Sequence, residues 1–425
     1  MTKPDCENGQ KNALRFIAAV IAIDMAGVGI IIPVMPDLIE ALGGAQIGDA
    51  AALGGWLVFA YAGLQFICAP IAGNLGDRFG RRPVLLAALA GLAVDYLIMG
   101  FAGSLAVLFL GRALAGVAGS TWSVANALIA DISSAKDRAR NFGIVSAASA
   151  AGLVLGPAIG GILGDFGPRV PFFGAAFLTL AAFVFGWSVM PETLKPANRR
   201  PFEWARANPF GSLFEASKRQ YVGGILIASF ILQLANQSLV HIWAYYTKAK
   251  FAWTPLEIGL SVTFYGIAVA VVQGGLTGPI VNRFGEQRVV IGGLIAAAFG
   301  YLALAVAPSA APIFFAMILG AFGGLATPAM QAIITKATPA DAQGALQGAV
   351  TSVVAIATVV GPVMMTQIFR AFTEPGAAYF PGAPFAASAG LTAISLLVFF
   401  ATKNAKAKAA IVVPMQHEKE ADRAA

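Results

Sequence analysis

Three ionisable residues lie deep within long apolar stretches of the chain: Asp24, Asp95 and Arg112. Such a residue costs about 2.5 kcal/mol or more near the centre of a bilayer unless it faces a cavity or a partner. Arginine keeps its proton, so Arg112 can act only through its charge. A buried carboxylate beside a guanidinium experiences two opposing effects on its proton affinity, so it can bind and release a proton as its surroundings change. The alternative is a purely structural ion pair that holds this part of the chain together.

Two unlike motifs occur twice in the chain at a single spacing. Asp77-Arg78-Phe79-Gly80 returns as Asn282-Arg283-Phe284-Gly285, an offset of 205 residues (282 − 77). Gly156-Pro157 returns as Gly361-Pro362, and the offset is again 205 (361 − 156). Repetition at one spacing in so apolar a chain predicts a duplicated bundle of membrane helices.

The same offset places Ser229, Gly300 and Met317 at the positions that correspond to the three charged residues. Proton coupling is therefore predicted for the first half, and substrate-facing apolar and amide groups for the second. The candidate substrate-binding residues are Gln65, Asn126, Gln233, Asn236, Gln237, Trp243, Gln273 and Gln331. Each of them alone is better explained as a contact between helices, but as a group they can line a cavity near the midplane.

The composition is that of a membrane protein, with 58% hydrophobic and only 12% charged residues in a chain of 425. Continuous apolar runs of about 20 residues, the length that crosses a bilayer as a helix, recur along the chain. We expect an all-α membrane protein with twelve transmembrane helices in two pseudo-symmetric six-helix halves. The expected divisions are a first bundle at 1–190, a cytoplasmic loop at 191–220, a second bundle at 221–402 and a cytoplasmic tail at 403–425.

The basic residues predict the orientation through the positive-inside rule. With both termini in the cytoplasm, only Arg169, Lys248, Lys250 and Arg370 lie outside, and the other basic loop residues lie inside. The formal charge of +7 is thus a topology signal and does not require a nucleic-acid partner.

The turn GNLGDRFGRRP, at 73–83, predicts a cluster of charges at the cytoplasmic side. Asp77 is expected to accept hydrogen bonds from backbone N–H groups at the N-terminus of a neighbouring helix. Arg81 is expected to pair with Asp131, and Arg78 belongs to the same turn. Such a cluster would close the cytoplasmic side when the protein opens outward. A basic turn that simply obeys the positive-inside rule is the alternative.

The stretch GLVLGPAIGG, at 152–161, combines a helix-bending proline with a smooth face of small residues. Gly152, Gly156, Pro157 and Gly160 are the candidate residues of a hinge, or of a seal against leakage. Ordinary close packing of helices explains the same pattern.

These motifs resemble those of the major facilitator superfamily, and among its members the drug:proton antiporters, most closely the tetracycline efflux pumps. GNLGDRFGRRPVLL resembles the signature of the loop between the second and third helices, and GLVLGPAIGG the antiporter motif of the fifth. AVDY and LGRALAGVAGS place Asp95 and Arg112 at the functional positions of that subgroup. The resemblance implies a role in proton coupling and drug transport for both residues and for Asp24. It implies a cytoplasmic charge relay for Asp77, Arg81 and Asp131, and a position near the drug path for Gln65.

Two positions depart from the tetracycline pumps. Where these pumps carry a histidine in the eighth helix this chain has Val269, and where they carry an aspartate in the ninth it has Ala297. These departures argue against a tetracycline–metal chelate as the substrate.

The sequence therefore predicts a proton-coupled antiporter that exports an amphipathic small molecule or drug, tetracycline-like compounds included, by alternating access. A proton symporter that imports a metabolite and a non-transporting membrane receptor remain the alternatives. We expect no enzyme activity and no cofactor. The expected partners are a small-molecule substrate, protons and membrane lipids, with a functional monomer located in the inner membrane.

Overall fold

A computed structural model describes residues 3–119, 121–134, 136–190, 192–194, 197, 199–202 and 220–424. Every regular element in these ranges is helical. The part of the central loop from 203 to 219 lies outside them, as do parts of the predicted boundary between the halves.

The described residues of the first half form eight α-helices. They are α1 (Lys3–Ile31), α2 (Met35–Gly43), α3 (Ile47–Phe79), α4 (Arg81–Phe101), α5 (Leu105–Ala118), α6 (Thr121–Ile132), α7 (Arg138–Gly164) and α8 (Val170–Val189).

Besides a short 3-10 helix at Ala340–Ala342, the described residues of the second half form eight α-helices and a π-helix. They are α9 (Gln220–Phe251), α10 (Pro255–Ala270), the π-helix (Val271–Leu276), α11 (Thr277–Phe284), α12 (Glu286–Val306), α13 (Ala310–Gly323), α14 (Ala326–Lys336), α15 (Gln343–Ala371) and α16 (Ala383–Ala424).

Twelve helical stretches among the described residues are long and apolar enough to cross a membrane, six from each half. This confirms the predicted fold class and number of spans. Several stretches are longer than the sequence predicts because polar and charged end residues continue the helix. The second stretch, α3, has 33 residues from Ile47 to Phe79, or about 50 Å at 1.5 Å per residue.

The duplication is visible in the backbone. α4 begins at Arg81 and α12 at Glu286, again 205 residues apart (286 − 81). Each follows a glycine with positive φ, +110° at Gly80 and +79° at Gly285, a conformation that costs glycine little and other residues more. The same tight turn between two membrane helices is thus built twice.

The fourth span of each half is interrupted at equivalent positions. α5 ends at Ala118 and α13 at Gly323, an offset of 205 (323 − 118), and α6 and α14 begin three residues further on. Glycines at and beside the breaks lower the local helix propensity. Broken membrane helices are common where transporters bind substrates and ions.

The contacts divide the chain into two compact units. Unit 1 comprises Met1–Pro209, Ser238–Ala270 and Val359–Pro384. It therefore contains the first half together with the C-terminal end of α9, the whole of α10 and the C-terminal end of α15. Unit 2 comprises Phe210–Gln237, Val271–Thr358 and Phe385–Ala425. Within unit 1, α1, α4 and α6 bury a shared apolar core that includes Ile17, Leu89 and Leu128. This core fixes the three helices that carry most of the ionisable candidates.

Candidate functional site

Asp95 of α4 and Arg112 of α5 form an ion pair. Arg112 Nη2 donates to Asp95 Oδ2 at 2.5 Å, the Asp95 side chain is fully buried, and that of Arg112 is 12% exposed. Among the described residues, Asp95 Oδ1 and Arg112 Nε have no hydrogen-bond partner. The pair balances its own charge within the apolar interior and leaves one acceptor and one donor for a further polar group.

A tyrosine and a glutamine of α3 support this ion pair. The Tyr61 ring lies 5.4 Å from the Arg112 guanidinium carbon, a cation–π contact. Gln65 Nε2 donates to Tyr61 Oη at 3.1 Å and to the Gly119 carbonyl at 2.6 Å. The carbonyl left without a helical partner at the α5–α6 break is therefore bound by α3. Gln65, expected near the drug path, lies one helical turn from the tyrosine that contacts Arg112.

Asp24 of α1 differs from Asp95 because nothing balances its charge. Its side chain is 8% exposed, and within the described part of the chain its carboxylate has no hydrogen-bond or ion-pair partner. Tyr61 and Tyr96 are within electrostatic range of both Asp24 and the Asp95–Arg112 pair. The three charges predicted from the sequence therefore belong to one neighbourhood, with one carboxylate paired and the other not.

The glycines of α7 bring that helix onto the backbone of α1. A Cβ at Gly152 would lie 2.1 Å from the Ala22 carbonyl oxygen, and one at Gly156 would lie 2.5 Å from that of Ala26. Gly160 makes the equivalent contact with Ile30. Three contacts at four-residue spacing, on either side of Asp24 along α1, make this interface a backbone-to-backbone seam.

The other face of α7 packs against α10, whose residues come from the second half of the chain. Thr263 Oγ1 donates to the Val154 carbonyl at 2.9 Å. A Cβ at Gly259 would lie 2.1 Å from the Pro157 carbonyl oxygen. α7 remains helical through Pro157, so the structure gives this segment close packing on two faces. Its role as a hinge or a seal stays a prediction.

Arg81, at the start of α4, is the centre of the predicted charge cluster. Arg81 Nη2 lies 2.5 Å from Asp77 Oδ1, and Arg81 Nε lies 3.3 Å from Asp131 Oδ2. The pairing of Arg81 with Asp131 is thus confirmed, whereas Arg78 is directed over the ring of its neighbour Phe79 at 5.0 Å. The cluster ties α3, α4 and α6 together at the end of the bundle that we call the Arg81 end.

The predicted partner of Asp77 is wrong. Asp77 lies one turn before Arg81, so its carboxylate contacts that guanidinium, and it binds no helix N-terminus among the described residues. Glu192, which the sequence did not single out, binds the N-terminus of α4: its carboxylate accepts from the backbone N–H groups of Arg81 at 3.0 Å and Arg82 at 3.3 Å. Its position just after α8 brings it there, and only the three-dimensional structure places α8 beside α4.

A second charge cluster joins the two sequence halves at the opposite end of α3. Lys248 of α9 pairs with both Asp37 and Glu40 of α2. Arg370 Nε of α15 lies 2.9 Å from Asp49 Oδ1 in the first turn of α3. We call these five residues the Lys248 cluster. Two of the four basic residues expected outside are therefore paired with acids of the first half.

Close packing accompanies the Lys248 cluster within unit 1. A Cβ at Gly55 of α3 would lie 2.1 Å from Thr366 Oγ1 and 3.1 Å from Thr366 Cβ. One at Gly54 would meet the Tyr245 hydroxyl at 2.2 Å. Trp243 is buried on the same end of α9, and its indole N–H donates to Ser261 Oγ at 2.9 Å. Trp243 thus packs against α10 within unit 1, whereas the candidate amides of the second half belong to unit 2.

Several predicted amides come together in unit 2. Asn236 Nδ2 donates to Gln233 Oε1 at 2.9 Å, and the Tyr301 hydroxyl donates to Asn236 Oδ1 at 2.8 Å. Gln233 and Gln331 line one small cavity with Ser229. Ser229 is the counterpart of Asp24 in the repeat, so a neutral hydroxyl lines a cavity in unit 2 where the first half has a carboxylate.

The remaining candidates are more scattered. Gln237 is buried on α9, and Asn126 is half-buried on α6. Gln273 belongs to the π-helix, and its Nε2 lies 2.5 Å from where a Cβ at Gly324 would stand, beside the α13–α14 break. π-helices often mark functional sites. Sequence reasoning missed Tyr61 and Tyr301. Tyr61 lies one helical turn from the predicted Gln65, and Tyr301 is the repeat counterpart of Tyr96, the residue after Asp95.

The model of the Major Facilitator Superfamily matches residues 17–245 and 225–419, which together span nearly the whole chain. The chain belongs to this superfamily. This Major Facilitator Superfamily protein is therefore a multi-pass membrane transporter of small molecules and not an enzyme.

Named relatives cover most of this superfamily member. "Tetracycline resistance protein, class C" from Escherichia coli is 39% identical over 374 residues, 88% of this chain and 94% of that protein. "Tetracycline resistance protein, class G" from Vibrio anguillarum is 37% identical, with 83% and 89% covered. "Multidrug resistance protein 2" from Bacillus subtilis is 30% identical, with 67% and 70% covered. The resemblance inferred from the motifs is confirmed.

Two solved transporter structures superpose on this chain, and at their low sequence identity they support only the fold. The nucleoside transporter NupG superposes with a TM-score of 0.75 at 12% identity, covering 92% of this chain and 99% of NupG. The human organic anion transporter MFSD10 superposes with a TM-score of 0.67 at 21% identity, with the same coverage.

Proposed function

We propose that this protein is a proton-coupled antiporter that exports an amphipathic, drug-like small molecule. The observation that carries the proposal is the unbalanced carboxylate of Asp24 close to the balanced Asp95–Arg112 pair. An ionisable group retained inside the membrane without a partner is costly unless its protonation is used. The names of the relatives, tetracycline and multidrug resistance proteins, support export of drugs as the direction and cargo.

Asp24 is the proposed proton carrier. Arg112 pairs with Asp95 and supplies the fixed positive charge of the neighbourhood, while Tyr61 and Gln65 position the guanidinium. Proton release from Asp24 on one side of the membrane, and uptake on the other, would then drive the conformational cycle. The counterpart Ser229 cannot carry a proton in this way, so the first half alone performs the coupling.

The second half is proposed to bind the substrate. In and around a cavity lined mainly by apolar side chains, neutral donors and acceptors come from Gln233, Asn236, Tyr301 and Gln331. This lining suits an amphipathic molecule more than a charged one. Val269 replaces the histidine of the tetracycline pumps and Ala297 their aspartate, so a metal chelate would lack two of its polar partners. We therefore treat tetracycline as one test compound among several and not as the expected substrate.

Alternating access needs one closure at each side of the membrane. With both termini in the cytoplasm of an inner membrane, as proposed from the basic loops, the Lys248 cluster lies outside and acts as an outer latch. The Arg81 cluster then lies inside and holds its own helices together as the inner gate. The seam between α1 and α7 seals the passage beside Asp24. Each chain contains all these parts, which supports a functional monomer.

The experiment is drug-dependent proton flux in liposomes that contain the purified protein, with tetracycline, hydrophobic cations and neutral drugs as test compounds. Asp24→Asn should lower flux at least tenfold, because the amide cannot exchange a proton. Asp165→Asn is the matched control, since Asp165 is exposed at the end of α7.

Each other outcome decides between the alternatives. Flux in the inward direction, with substrate and proton moving together, would identify a symporter. No flux with any compound would contradict the drug-export proposal. Flux that Asp24→Asn leaves unchanged would move the coupling role to Asp95.

A further inference from the structure

Unit 2 carries an apolar groove that the transport cycle described above does not use. The groove has a volume of about 410 Å³ and is bordered by the end of α11, by α12 and by α13. Phe284, Gly292, Ala296 and Phe322 are among its lining residues, and Arg288 is the only charged one. The apolar lining is complementary to an acyl chain, and the single basic residue is complementary to an anionic headgroup.

The length of the groove suits one leaflet. Its lining runs along α12 from Arg288 in the first turn to Ala296. Eight residues of helix span about 12 Å, and half of a hydrocarbon core of about 30 Å is about 15 Å. The charged end therefore lies near one membrane surface while the apolar end approaches the midplane.

The shape of the groove depends on one glycine. A Cβ at Gly292 would have no atom within 4 Å, so this glycine faces open space and is not needed for close packing. Its neighbour Gly293 does pack closely, since a Cβ there would lie 2.9 Å from the backbone nitrogen of Ala326. Gly293 thus brings α12 against α14, and Gly292 leaves room alongside.

A second positive charge stands beside the mouth of the groove. Arg283 stacks its guanidinium on the ring of Phe284 at 5.5 Å, and Phe284 lines the groove. The nearby carboxylate of Glu286 is paired with Lys336 at 2.5 Å. In the described part of the chain no carboxylate pairs with Arg283 or Arg288, so both charges are available to an anion.

Two central positions of this groove differ in the first half, despite the duplication. At the offset of 205, Arg288 corresponds to Pro83 and Gly292 to Ala87. The adjacent Arg82 is already engaged, because its Nη2 donates to the Trp187 carbonyl at 2.5 Å. Arg288 and the open position at Gly292 are therefore features that the repeat does not require, whereas Arg283 is the counterpart of Arg78.

We propose that this groove binds one acyl chain of an anionic phospholipid of the cytoplasmic leaflet, with the lipid phosphate held by Arg288 and Arg283. The assignment of the leaflet rests on the proposed orientation, in which the loop before α12 is cytoplasmic. Anionic lipids give that surface its negative potential, and each nearby basic residue contributes about 1 kcal/mol to lipid attraction. Such a lipid would brace α12 against α11 and α13.

The test is lipid binding to the purified full-length protein in mild detergent, counted by native mass spectrometry. Phosphatidylglycerol and phosphatidylcholine with identical acyl chains are the two probes. Wild type should retain phosphatidylglycerol preferentially. Arg288→Gln should weaken phosphatidylglycerol binding about fivefold and leave phosphatidylcholine unchanged, because it removes one basic contact. Gly292→Phe should fill the slot and abolish the bound lipid of either kind.

The matched control is Gly390→Phe. A Cβ at Gly390 of α16 would also have no atom within 4 Å, but this glycine lies outside the groove. Lipid binding should be unchanged in this variant. An undiminished preference for phosphatidylglycerol in both Arg288→Gln and Gly292→Phe would overturn the proposal. A Gly292→Phe variant that loses drug binding but keeps lipid binding would also overturn the proposal, because the groove would then be an entrance for the drug. Lipid counts need no transport, so failure here is distinguishable from failure of the antiport proposal.

Discussion

Asp24 and Asp95 lie in the same half of the chain, but within the described ranges only Asp95 has a cationic partner. Their sequence contexts are similar, since each is a lone aspartate within an apolar run. Sequence therefore indicated that both are functional but could not say which one Arg112 balances. That choice depends on how α4 and α5 pack, with Arg112 17 residues beyond Asp95 across a turn of the chain.

Removing one partner of the Asp95–Arg112 ion pair should lower the free energy of unfolding more than removing both. Arg112→Gln leaves the buried Asp95 carboxylate without compensation, which typically costs about 3–5 kcal/mol. The double variant Asp95→Asn with Arg112→Gln leaves neither charge of the pair behind and should recover most of that loss. Thermal unfolding of the purified variants in detergent measures both effects.

Drug-dependent proton flux should not follow stability in these two variants. Both the single and the double variant should lack flux, because the fixed positive charge of Arg112 is absent in each. A double variant that transports like wild type would contradict the proposed role of Arg112, whatever its stability.

At the scale of elements, the turn at Gly80 and its copy at Gly285 could be read from the sequence because glycine, charge and spacing all repeat. The number of spans followed from apolar length alone. The sequence did not predict the helix breaks at Gly119 and Gly324 or the π-helix, because the apolar pattern continues through them. Glu192 escaped notice for a different reason: its partners are backbone N–H groups more than 100 residues away.

The seam between α1 and α7 predicts a sharp difference between two glycines of one helix. Gly156→Leu should separate the helices and abolish transport, because even a Cβ would lie 2.5 Å from the Ala26 carbonyl oxygen. Gly143→Leu on the same helix should be tolerated, since its Cβ would meet nothing within 4 Å. Proton flux and thermal unfolding, measured for both, test the contrast. Equal tolerance at the two positions would show that the seam is not needed.

At the scale of the whole molecule, the Lys248 cluster and the packing of Gly55 on Thr366 join the two sequence halves within unit 1. The sequence placed Lys248 and Arg370 outside but assigned them no partners. Acids on α2 and α3 could not be matched to them, because nothing in a single sequence reports which loops meet across the duplication.

Opening of this outer contact should be required for transport. The Cβ positions of Gly55 and Thr366 are 3.1 Å apart, within about 0.5 Å of the range found in disulfides. Gly55→Cys with Thr366→Cys, in a background with Cys6 and Cys68 replaced by serine, should form a disulfide under oxidation. Flux should stop on oxidation and return with a reducing agent.

The single variant Gly55→Cys controls for the substitution itself and should be insensitive to the oxidant. Full transport by the oxidised double variant would mean that the outer end need not open. That result would contradict the latch while leaving the proton-coupling role of Asp24 intact.

The interruptions after Ala118 and Gly323 have a consequence for hydrogen exchange. A continuous membrane helix protects its amide protons along its whole length, whereas a break leaves backbone groups without helical partners. In the first half, Gln65 binds the freed Gly119 carbonyl from a neighbouring helix. Gln65→Leu should therefore ease local opening at the first break, and the amides of α5 and α6 beside it should take up deuterium faster than in the unsubstituted protein. The amides beside the second break should be labelled at an unchanged rate.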